Sequence, residues 1–229
     1  MGNFDFGVIR DALPYLFGTG MTFTLTLTAL AGLAGLVIGT LLALMRLSPL
    51  KILSVPATVY VNTMRSIPLL LVIFWFYFLV PYLGAWLLRS PRPIQVGAFN
   101  SAVITFSMFE AAYFCEIMRA GIQSIARGQF NAGMALGLTQ RQTMFSIVLP
   151  QAIRNMVPAL LTRVIILFQD TSLVYVLALT DFLGAASKIG QRDGRLVELY
   201  VFVAVVYILI SFVASQSVKL LEKRIIVAR

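Results

Sequence analysis

Arg163 and Asp170 interrupt an otherwise apolar stretch, and Gln169, Thr171 and Ser172 flank the acid. On a helix, seven residues make nearly two turns, so the two charges project from almost one face, about 10 Å apart along the axis. That is too far for a direct bridge but suits two ends of one polar surface. A guanidinium attracts a carboxylate, a carboxylate attracts an ammonium, and hydroxyl and amide groups fill the remaining hydrogen bonds of a zwitterion. The five residues are therefore candidates for a substrate pathway. A second reading has equal weight: Asp170 pairs with a neighbouring helix and locks the bundle.

Four further charged positions belong with them. Glu110 falls inside another apolar run, where an unpaired charge at mid-span costs at least ~2.5 kcal/mol, so it needs a partner, and Arg163 on an adjacent helix is the candidate. Arg65 opens a further apolar run, either anchoring it by snorkelling to the membrane surface or guarding a polar mouth. Glu116 and Arg119 stand three residues apart and form a structural helix pair.

The residue inventory excludes most catalysis. There is no His, so imidazole metal sites, Ser-His-Asp triads and His proton relays are out, and no metal site is expected. The lone Cys115 closes no internal disulfide and reads as a small apolar side chain. None of the Lys residues follows Gly and precedes Ser or Thr, so no phosphate-binding loop is present, no cofactor is expected, and the chain is not expected to be an enzyme itself.

The elements that must hold these residues are membrane helices. The 229 residues are 59% hydrophobic and 12% charged, with a mean hydropathy of +0.90, far from soluble usage. A span needs roughly 20 apolar residues to cross ~30 Å of hydrocarbon. Five runs qualify, at about 20–44, 66–88, 98–118, 157–179 and 198–218. The preceding segment, with Asp5 and Asp11 where a signal peptide carries positive charge, reads as retained and as an interfacial amphipathic stretch. The net charge of +9 falls mostly between apolar runs rather than on a basic face, which argues against nucleic acid and for topology. Arg46, Lys51, Arg119, Arg127, Arg141, Arg154, Lys219, Lys223, Arg224 and Arg229 share one side. Arg10, Arg89, Arg92, Lys188, Arg192 and Arg195 share the other, so the N-terminus is expected outside and the C-terminus in the cytoplasm.

Between the third and fourth runs lies "GQFNAGMALGLTQRQTMFSIVLPQ", residues 128–151, rich in Gln, Gly, Thr and Ala. Gly137 is placed to stop a short helix in a left-handed conformation. Thr139 then caps a second helix, with Gln142 completing a capping box, and Pro150 suits the first turn of the next one. The product is a hairpin over about 128–142 whose shape invites a socket on another protein.

This hairpin resembles the EAA loop of ABC importer permeases, patterned E-A-A, three residues, Gly, nine residues, Ile, any residue, Leu-Pro. Ala132, Gly137, Ile147, Leu149 and Pro150 match at the required spacing, while Asn131 replaces the Glu and Gly133 the second Ala. The literal Glu110-Ala111-Ala112 has Glu116 where the Gly belongs and is a decoy. "TMRSIPLLLVIFWF", "AAYFCEIMRAGIQSI" and "FQDTSLVYVL" are similar to segments of the polar amino acid uptake subfamily, and "RSIPL", "LFQDTSLVYVLALTDF" and "IGQRDG" most resemble its glutamate/aspartate permeases.

The resemblance implies an all-α polytopic bundle of about five spans with the type I ABC importer permease fold, one transmembrane domain over 1–229, in the bacterial inner membrane. It implies two ATPase subunits on the hairpin, a homologous second permease subunit, a periplasmic amino-acid-binding protein and surrounding lipid. Glutamate or aspartate is the expected cargo, with another polar amino acid such as glutamine as the alternative. A lone ion-coupled secondary transporter is the rival, and the inverted repeats that would support it are not found.

Overall fold

The computed structural model describes residues 4–227, with side chains up to residue 225. Arg229, which contributes to the charge bias, lies outside the described residues. Among these, helix is the regular structure present and there is no strand. The helices are α1 (Phe6–Leu47), α2 (Lys51–Ser66), α3 (Leu69–Leu87), α4 (Ala98–Gln123), α5 (Arg127–Ala135), α6 (Gln140–Leu177), α7 (Phe182–Asp193) and α8 (Leu196–Val227). Five of them, α1, α3, α4, α6 and α8, are long and apolar enough to cross a membrane.

Two boundaries differ from the expectation. The N-terminal segment, expected as an interfacial amphipathic stretch, is helical and continuous with the first span. Asp5 caps it, accepting from the Gly7 amide at 2.8 Å. At 1.5 Å per residue, 42 residues extend about 60 Å, roughly twice the hydrocarbon thickness. The second difference is α2, a helix where the sequence suggested only a connection.

Pro81 and Pro150 explain local widening of two spans. A helical proline clashes with the carbonyl four residues back, which here belongs to Tyr77 or Ser146. Both residues lie in π-helical turns, Trp75–Leu79 and Met144–Val148, whose wider winding moves that carbonyl aside without ending the helix.

The chain forms two compact units, each assembled from separated stretches: one from residues up to Leu33, Ile67–Ser107 and Ile165–Ala214, the other from Ala34–Ser66, Met108–Val164 and residues from Ser215 on. In the first, Leu16, Met21, Phe168, Phe182, Ala185 and Leu199 form a buried core. Gly20 lets α1 approach α7 closely: a Cβ there would stand 2.9 Å from that of Ala185. In the second, Ala43, Val61, Ala112 and Cys115 pack together, and Gly39 serves the same purpose, since its Cβ would meet the Ala111 carbonyl at 2.9 Å.

Candidate functional site

Within the second unit, α4 carries Glu110, Tyr113 and Glu116 at three-residue spacing, which places them on one strip of the helix. At one end Glu110, with no exposed surface, meets Arg163 of α6. Arg163 Nε donates to Oε2 at 2.8 Å and Nη2 to Oε1 at 2.6 Å, a two-pronged geometry that only a guanidinium provides. The same guanidinium lies 3.8 Å from the centre of the Tyr113 ring.

At the other end Glu116 gathers three arginines from three helices. Arg46 of α1 donates to Oε2 at 2.5 Å. Arg119 donates through Nε to Oε2 at 3.2 Å and through Nη2 to Oε1. Arg65, at the end of α2, holds Nη1 3.6 Å from Oε2 and its Cζ 5.6 Å from the Tyr113 ring centre. The expected Glu116–Arg119 pair is therefore present, but within a larger network. Arg46, which the sequence places in a connecting segment, is turned inward on the last turn of α1 with only 10% of its side chain exposed.

In the first unit, the α-helical part of α6 ends at Asp170 and the chain tightens into a 3-10 segment, Thr171–Leu177, closed by Ala178 in the left-handed region at φ 58°. This change of winding redistributes the polar residues predicted to share one surface. Thr171 is fully buried and donates to the Phe168 carbonyl at 2.7 Å. Gln169 donates to Ser211 of α8 at 2.9 Å. Asp170 and Ser172 are half-buried. Of the residues expected along a substrate pathway, Arg163 has its fork on Glu110 and Thr171 is buried.

The 128–142 hairpin closes as its residues dictate. Gly137 takes φ +81°, Leu138 donates to the Gly133 carbonyl at 3.2 Å and Gly137 to that of Met134 at 3.0 Å, the paired bonds of a Schellman stop. Thr139 and Gln142 form the reciprocal capping box. Gly133 also has a reason: a Cβ there would stand 2.7 Å from Thr143 Cγ2 and 2.9 Å from Ile147 Cδ1, so its absence lets α5 press onto the start of α6. Asn131, Ala132, Ile147, Leu149 and Pro150 lie on the same two helices.

Comparison with known proteins agrees with this architecture. The binding-protein-dependent transport system inner membrane component family matches residues 35–227. The chain is 52% identical over 226 residues to the glutamate/aspartate import permease protein GltK of Escherichia coli O6:H1, covering 98% of this chain and 99% of that one. It is 35% identical to the probable amino-acid ABC transporter permease protein YckA of Bacillus subtilis, covering 93% and 90%. A solved amino acid ABC transporter with histidines superposes with a TM-score of 0.87 at 31% identity, covering 96% and 98%. A chain with five apolar spans and a capped hairpin, matched along nearly its whole length, belongs to the inner membrane components of binding-protein-dependent transport systems, as an integral permease subunit of an ABC importer for amino acids.

Proposed function

We propose that this permease carries glutamate and aspartate inward, with its N-terminus on the periplasmic face and its C-terminus in the cytoplasm. The observation that carries the substrate reading is the 52% identity, over nearly all of both chains, with a glutamate/aspartate import permease. Two separate ATPase subunits grip the 128–142 hairpin. Supporting this is a hairpin turn closed by a glycine stop and a capping box, with Leu136 at its tip 81% exposed and Phe145 just beyond it 59% exposed. A second permease of the same fold completes the membrane part, and a periplasmic binding protein delivers the amino acid. In the first unit, Asp170 contacts the ammonium of the translocated molecule, helped by Ser172, where the helix changes winding.

The test is reconstitution of the complete importer with its binding protein in proteoliposomes. ATP should drive accumulation of labelled L-glutamate and L-aspartate, and a proton or sodium gradient without ATP should drive none. Gradient-driven uptake by this chain alone would sink the importer reading, and preference for L-glutamine would sink the substrate assignment.

A further inference from the structure

The strip on α4 is electrically unbalanced. Four guanidinium groups, Arg46, Arg65, Arg119 and Arg163, face two carboxylates, leaving a surplus of two positive charges. Three of the four are committed. Arg163 has both prongs on Glu110, and Arg46 and Arg119 between them occupy both oxygens of Glu116. Of these four, Arg65 alone stands outside hydrogen-bond distance of a carboxylate among the described residues, its Nη1 3.6 Å from an oxygen already engaged twice. It is also the most accessible of the four, with 38% of its side chain exposed. Its Cζ lies 5.6 Å from the Tyr113 ring centre, within cation–π reach, and its N–H fork donates no hydrogen bond among the described residues.

We propose that Arg65 is the anion-reading residue of the transport path, taking a carboxylate of an amino dicarboxylate, and that the surplus charge behind it makes the site favour a substrate of net negative charge. The assignment rests on the acidic-substrate reading of the proposed function. It differs from an anchoring role because a snorkelling arginine needs no uncompensated cluster behind it and has no preference among ligands. The neighbouring arginines leave net positive charge around Arg65, so an arriving carboxylate adds the missing negative charge to the network. The one contact it competes with is the longest of the four, the 3.6 Å approach of Arg65 to Glu116.

The experiment measures binding of labelled L-glutamate and L-glutamine to the purified permease–ATPase complex in nanodiscs of zwitterionic lipid, without the binding protein. Arg65→Gln should weaken glutamate binding by about 10- to 100-fold, the range expected for a lost charge-assisted pair, and glutamine binding by no more than about twofold. Arg65→Lys, which keeps the charge but not the fork, should fall between wild type and Arg65→Gln. Equal loss of both ligands, or unchanged glutamate binding, would overturn the proposal and make Arg65 a structural or lipid contact. If Arg65→Gln yields no complex, the Arg65→Lys comparison decides, and equal effects on the two ligands overturn the assignment. A wild-type complex that prefers glutamine overturns the acidic-substrate reading itself, and this inference with it.

Discussion

Arg163 and Glu110 are joined across α6 and α4 by two parallel hydrogen bonds of 2.8 and 2.6 Å, with Glu110 wholly enclosed. Removing one member strands the other's charge at a cost of about 3–5 kcal/mol, whereas replacing both with apolar residues of similar size restores much of the loss. Glu110→Gln and Arg163→Met should each lower the thermal midpoint of the detergent-purified complex. The double replacement Glu110→Leu with Arg163→Met should recover more than half of the drop. If the losses instead add, the pair does not act as a unit.

The hairpin gives a second test. Gly137→Val puts a β-branched residue at φ +81°, which costs on the order of 1–3 kcal/mol locally, and Gly133→Val adds atoms where a Cβ alone would lie 2.7 Å from Thr143. Either should reduce ATPase subunits recovered with the affinity-purified permease while membrane insertion stays normal. Full ATPase recovery and uptake in both variants would show that the hairpin is not the docking element.

The sequence made the hairpin legible because Gly137, Thr139 and Gln142 each specify their own backbone geometry within a few residues. The five spans were legible for a similar reason, since length and apolarity alone set them. The Glu110–Arg163 pairing followed from the cost of an isolated charge in hydrocarbon. What escaped were features set by packing at a distance. Arg46 looks like one more basic residue after a span, and nothing nearby in the chain marks its inward turn toward Glu116, seventy residues on. The α2 helix, which contains Pro56 and is less apolar than the spans, was concealed among connections. The change to a 3-10 winding at Thr171, next to Asp170, was likewise invisible in the residue types.

Ala178 offers a test of that winding. It closes the 3-10 segment at φ 58°, donating to the Tyr175 carbonyl at 2.9 Å, in a region where a Cβ costs roughly 1–2 kcal/mol. Ala178→Gly relieves the strain but adds unfolded-state entropy, so a net gain of about 0.5–1 kcal/mol is expected. The thermal midpoint of the complex should rise slightly. A fall would mean that the left-handed turn is absent.

Asp181 sets a pH dependence. It lies between the spans, caps α7 and is fully buried. Burial pushes its carboxyl up from 3.8 to about 6, against the lowering influence of hydrogen bonds from the Gly184 and Leu183 amides. The folded state therefore holds this proton more tightly than the unfolded chain. Its contribution to stability is fully present below about pH 3.8 and is lost as pH rises through about 6, a change of about 3 kcal/mol. Asp181→Asn keeps a carbonyl acceptor for one capping bond and has no proton to lose. The difference in thermal midpoint between wild type and Asp181→Asn, tracked from about pH 4.5 to 7.5, should move in the variant's favour as pH rises and level off above about 7, once Asp181 is ionised in both states. A difference independent of pH would show that the carboxyl does not titrate in that window. Movement in the opposite sense would show that the two amide bonds, rather than burial, govern its ionisation.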